Sequence, residues 1–204
     1  MRRKSIFAEY INKYKITYII IISLFLIGVL IGVIYINTAT EEKIQNLSLY
    51  VNELINNLKN NISKTQINSI INSIIKNSRE IIIIWFLGCT VIGSYFVYIT
   101  IVYHGFKIGY TIATFIYILG TKKGIIISLS SLLLQNIIYI PTLFLIAESS
   151  IKMCKQTYEN RNYIKKEFIR HLLVLIICLL LGIGSSCLEI CFSTKILNFF
   201  KEIL

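Results

Sequence analysis

The sequence contains no aspartate, a single proline and only two histidines. Charged residues make up 15% of its 204 positions, against about 25% in soluble domains. So little charge excludes an ordinary water-soluble enzyme and a disordered chain, because neither could stay dissolved with this surface. The acids are ten Glu against twenty-one Lys and Arg, leaving a formal net charge of +11. Apolar residues reach 55% and the mean hydropathy is +0.71, which also excludes a collagen-like repeat or a coiled coil. In a membrane protein a basic excess sets orientation, and no cluster here is large enough for nucleic acid.

A spanning helix needs about 20 apolar residues, since a ~30 Å hydrocarbon layer is crossed at ~1.5 Å per residue. Ile16–Ile36 has no charge, and fifteen of its positions are Ile, Leu, Val or Phe. Further apolar runs cover 81–102, 124–147 and 172–192, and a shorter one covers 106–119. At ~21 Å the short run is expected either to cross with local thinning or to re-enter within the bundle. The expectation is an all-α polytopic bundle of about five transmembrane helices forming a single membrane domain. Its division is 1–15 cytoplasmic, 37–80 extracytoplasmic, 148–170 a basic cytoplasmic loop and 193–204 a tail. With the N-terminus inside, this places 12 basic residues inside and 9 outside, the order that the positive-inside rule requires. The first helix exceeds the 7–15 apolar residues of a signal peptide and is expected to remain as an anchor.

Segment 37–80 lacks both Gly and Pro. Leu47, Val51, Leu54, Leu58 and Ile62 recur at helical spacing, giving an amphipathic face that could dock a partner. A second set follows at Ile67–Ile75. The basic 148–170 stretch suits anionic lipid headgroups, at ~1 kcal/mol per residue near the surface.

Gly28/Gly32, Gly105/Gly109 and Gly120/Gly124 form three small-xxx-small pairs, and Gly182 extends the theme in the last helix. Such spacing lets two backbones approach closely in lipid. These pairs suit contacts within one bundle and leave self-association open. Pro141 should kink the fourth span, with Gln135 and Asn136 near enough to satisfy a freed backbone group. Glu189 is the one carboxylate inside an expected span, and His104 and His171 fall at membrane edges. Five cysteines, an odd number, make no disulfide framework, and Cys187 and Cys191 have no second ligand pair. No phosphate loop, nucleophile elbow or clustered carboxylates occur. The sequence therefore carries no catalytic set and no metal or cofactor site.

Three stretches carry a resemblance: His104-Gly-Phe-Lys-Ile-Gly109, Gly120-Thr-Lys-Lys-Gly124, and Leu134-Gln-Asn-Ile-Ile-Tyr-Ile-Pro141. They resemble the core of the stage II sporulation protein M family, and the Gly28/Gly32 helix followed by Asn37 fits that family's first span. The resemblance implies a plasma-membrane protein of the sporulation septum. It implies a non-enzymatic anchor for a peptidoglycan amidase and a lytic transglycosylase during engulfment. It carries over no catalytic residue, and assigns Gly105, Phe106, Gly109, Lys123, Gly124, Asn136 and Pro141 to bundle architecture. The alternative reading is a membrane subunit of a transporter or permease, with Asn136 lining a path.

Overall fold

In the computed structural model, residues 15–60, 65–90, 92–159 and 164–201 are described, and among them six α-helices and no strands occur. They are α1 (Lys15–Asn37), α2 (Glu41–Asn60), α3 (Thr65–Gly88), α4 (Gly93–Leu119), α5 (Thr121–Glu159) and α6 (Ile164–Lys201). Three stretches are long and apolar enough to cross a membrane: Lys15–Asn37, Asn136–Thr157 and Lys165–Leu188. The protein is an all-helical membrane protein.

Only one narrow stripe of α1 is buried, through Ile21, Gly28, Gly32 and Ile36. Its other faces expose Ile16, Leu26, Leu30 and Ile34, side chains that lipid, not water, solvates at no cost. The core gathers Ile21 of α1, Ile81 and Ile84 of α3, Val97 and Ile101 of α4, Leu143 and Ile146 of α5 and Cys178 of α6, all sealed.

Paired residues give the helix directions. Gly28 meets Val102 and Phe106, and Gly32 meets Phe106 and Tyr110, so α1 and α4 run parallel. Helices α3 and α4 are antiparallel about the 89–92 turn, with Glu80 reaching His104. Across Gly120, α5 returns antiparallel to α4, setting Gly124 against Phe115 and Ile116. Helix α6 returns along α5, pairing Cys178 with Thr142, His171 with Ser149, and Glu167 with Lys152. Successive long helices α1, α3, α4, α5 and α6 thus alternate in direction.

The helix boundaries correct the expected division. The run 81–102 is not one helix: it is split between α3 and α4. The amides of Cys89 and Thr90 bond to Phe86 and Leu87, and Gly93 N–H bonds to Thr90. Hydropathy averaged over a span does not register this turn, because it carries no charge and only Thr90 interrupts the apolar run. The run 106–119 is not a short or re-entrant piece but the second half of α4. That helix has 27 residues and is about 40 Å long. Polar Tyr103, His104 and Lys107 interrupt the apolar run there, yet His104 and Lys107 bond Glu80 of α3 while Tyr103 is exposed. Nor is 148–170 a loop throughout. Residues 148–159 continue α5, 164–170 begin α6, and Glu148, Ser150, Ile151 and Cys154 are buried. The expected tail from 193 is helical through Lys201. In the 37–80 segment α2 stands by itself, whereas residues 65–80 belong to the helix that continues into the core.

Candidate functional site

Gly28 and Gly32 lie directly on the α4 backbone, and Gly105 and Gly109 lie on Phe25 and Val29 of α1. A methyl group on any of the four would overlap a carbonyl oxygen of the opposing helix. The four together bring the two backbones as close as helices can come. Phe106 projects beside this seam against Tyr35, with ring centroids 5.8 Å apart, and Tyr110 stacks on it at 5.9 Å.

This seam carries His104 to the ring of Phe25, with centroids 6.5 Å apart, near the midpoint of α1. At that level α3 delivers Glu80. Its Oε1 accepts from His104 Nδ1 at 3.2 Å and from Lys107 Nζ at 3.0 Å, and its Oε2 accepts from Tyr139 OH at 2.8 Å. One carboxylate therefore ties α3 to α4 and α5. The Glu80 side chain is 14% exposed and that of Lys107 30%, whereas His104 as a whole residue is 6% exposed. The Lys107 ammonium also sits over the Tyr103 ring at 5.1 Å. A carboxylate with three donors and a cation at its side is well compensated for leaving water.

A second polar layer joins α3, α5 and α6. His171 Nδ1 meets Ser149 Oγ at 2.8 Å, and its Nε2 meets the Trp85 carbonyl at 3.1 Å while the two rings stack. Ser150 Oγ donates to the Ile84 carbonyl at 2.9 Å, and the Cys154 thiol reaches the carbonyls of Gly88 and Thr90. Gly88 is bare because Ser150 and His171 occupy the space a methyl would need. Further along α6, Asn77 donates to Ser186 at 2.9 Å. At the α5–α6 connection Glu167 bridges Lys152 and Arg170.

The chemistry of these clusters is adhesive. Most of their polar groups bond to a neighbouring helix, and among the described residues no group of three metal-ligating side chains forms. The sequence model of stage II sporulation protein M matches residues 21–193. The chain belongs to the stage II sporulation protein M family. The match spans every helix from α1 to α6, and this family is not a known enzyme family. No curated protein and no solved structure matches the chain.

The residues singled out from the sequence of this stage II sporulation protein M member fall in different places. Gly28, Gly32, Gly105, Phe106 and Gly109 meet at one seam. Gly120 does not pack: it occupies the α4–α5 turn at φ 80°, with open space where a side chain would be. Gly124 rests on α4, and Gly182 is buried against Ile81. Asn136 is buried, and Pro141 lies exposed inside an unbroken α5. On α2, Val51 is buried where the helix packs on α4 and Leu47 is half-buried. The side chains of Leu54, Leu58, Gln135, Glu189 and Cys191, and all of Ile62, lie outside the described residues.

The carboxylates that matter are others. Sequence reading assigns Glu80 to the external segment and Glu148 to a cytoplasmic loop, and both are inside the bundle. His104 and His171, assigned to membrane edges, are likewise interior. One signal was present: His104 and Lys107 stand at i, i+3 on one face of an otherwise apolar helix, and such a pair needs an acid.

Proposed function

We propose that the protein is a non-enzymatic membrane scaffold that anchors a peptidoglycan-degrading complex during engulfment in endospore formation. The observation that carries this reading is the family match across 21–193. A bundle whose interior polar groups bond helix to helix supports it. In this reading the protein lies in the plasma membrane at the sporulation septum, with its N-terminus cytoplasmic. Helices α1, α3, α4, α5 and α6 make five crossings. The alternation of their directions supports that count, as does the basic 148–170 stretch on the inner side, where Lys155, Lys165 and Lys166 are exposed to anionic lipid.

Helix α2 then lies outside, where an amidase and a lytic transglycosylase work. Its Val51 faces α4, while Leu49 and Tyr50 are exposed at 69% and 60%, so partners have the opposite face available. Deleting 41–78 would also remove most of α3 and the buried Asn77, so substitution is the cleaner test. Full-length tagged protein carrying Leu49→Ser and Tyr50→Ser should lose one or both hydrolases on purification from sporulating cells. Normal engulfment in cells lacking the gene would sink the scaffold reading. Loss of solute flux in a folded Asn136→Ala variant would replace it with transport.

A further inference from the structure

The side chains that the bundle turns outward differ from helix to helix. From Ile16 to Ile34 every large exposed hydrophobic side chain of α1 is Ile or Leu, and the same holds on α6 from Ile169 to Leu188. Aliphatic faces of that kind suit hydrocarbon. On α4 the large exposed side chains are Tyr95, Phe96, Ile99, Tyr103 and Tyr117. Tyr95 and Tyr117 stand near the two ends of the helix, where tyrosine is at home in the headgroup layer. Tyr103 does not. It is 57% exposed and adjoins His104, whose ring meets Phe25 near the midpoint of α1. The Lys107 ammonium lies over the Tyr103 ring at 5.1 Å, and its side chain is 30% exposed. Hydrocarbon at that depth offers neither group an acceptor.

We propose that the Tyr95–Ile99–Tyr103 face of α4 docks one transmembrane helix of another protein, and that this helix carries an uncharged acceptor, a side-chain amide, beside Tyr103. The inference rests on α4 crossing the membrane. The three residues recur every four positions, so with Phe96 they form one continuous surface along the helix. Aromatic side chains of this kind give a partner a large, rigid contact. Tyr103 and Lys107 both donate hydrogen bonds, so the surface calls for an acceptor. Glu80 already balances the Lys107 charge at 3.0 Å. A second carboxylate would enter hydrocarbon uncompensated, whereas an amide carbonyl brings no charge. The same chemistry argues against a second copy of the chain. A two-fold axis along the membrane normal sets each residue level with its counterpart. It would bring two Lys107 ammoniums to one depth at the contact, where like charges repel strongly.

The test uses full-length protein in lipid vesicles, with benzoylphenylalanine in place of Phe96 or, on α6, of Leu173. Two synthetic helices serve as probes, a polyleucine span with lysines at both ends and the same span with one central glutamine. Cysteines replacing Thr90 and Thr121 report whether α4 crosses, by labelling from opposite sides. On irradiation the glutamine helix should crosslink at position 96 about tenfold more than the all-leucine helix, the scale of one interhelical hydrogen bond in lipid. At position 173 the two helices should crosslink equally. Tyr103→Phe, which keeps the ring and loses the hydroxyl, should remove most of the preference at 96. Equal crosslinking of both helices at 96, the same glutamine preference at 173, or a preference that survives Tyr103→Phe unchanged would each overturn the proposal. So would a photoproduct of two protein chains at 96 in vesicles without peptide, which would assign the face to a second copy. Labelling of positions 90 and 121 from one side would overturn the crossing and the proposal with it. With labelling from opposite sides, a missing glutamine preference overturns the docking face alone.

Discussion

Glu80 is the residue on which the bundle's interior turns. Replacing it by Ala strands the Lys107 ammonium and leaves the Tyr139 hydroxyl and the His104 ring without their acceptor. Removing one partner of a buried pair costs about 3–5 kcal/mol, whereas exchanging both for apolar residues is often neutral. Glu80→Ala should therefore lower stability by about 3 kcal/mol in detergent unfolding, and Glu80→Leu with Lys107→Leu should recover most of that loss. A double variant as unstable as the single one would show that the pair is not the source. Glycine gives a second contrast at this scale. Gly120 touches nothing, yet its φ of 80° and ψ of 162° lie where side-chain-bearing residues are strained. Gly120→Ala should cost about 1–3 kcal/mol. Gly184 has the same open surroundings inside α6, where the helical backbone suits any residue, and Gly184→Ala should gain up to about 1 kcal/mol. Equal effects at the two sites would show that backbone conformation does not decide them.

At the scale of the element, the decisive contact is the seam between α1 and α4. Gly109→Leu should separate the two helices, because the leucine has only the Val29 backbone to enter. Disulfide crosslinking between cysteines placed at Phe25 and Ile101 should fall sharply relative to the otherwise native protein. Unchanged crosslinking would refute the backbone-to-backbone seam. The elements also show what could be read in advance. Helix α1 was legible almost to the residue, since an uncharged run of that length has one solution in lipid. Helix α4 was not. Its His104 and Lys107 look like an interface when only the chain is visible, and they become interior once Glu80 arrives from another helix. The same logic hid Glu148 and the C-terminal half of α5. Hydropathy registers each side chain by itself, whereas burial of a polar group depends on a partner distant in sequence. The turn between α3 and α4 escaped for the opposite reason, since it carries no charge and interrupts the apolar run only at Thr90.

At the scale of the whole molecule, the alternating helix directions predict which ends share a side of the membrane. A single reactive cysteine at Thr90 should be labelled from the same side as one at Lys15. One at Thr121 should be labelled from the other side, together with one at Thr40. All four reacting from one side would exclude a spanning α4. The chain thus reads as a bundle closed by two kinds of bond, bare backbone contact between α1 and α4 and a shared carboxylate among α3, α4 and α5.

The seam between α1 and α4 also has a consequence in time. Its two helices are separated along the chain by all of α2 and α3, so α1 cannot be completed by its neighbours in sequence. At synthesis rates of about 5–20 residues per second, α1 must wait several seconds in lipid with the backbone at Gly28 and Gly32 uncovered. Gly105 and Gly109 end that wait. Helix α1 is finished only after α4 is made, and the nascent protein holds an unfilled glycine groove while α2 and α3 are synthesised.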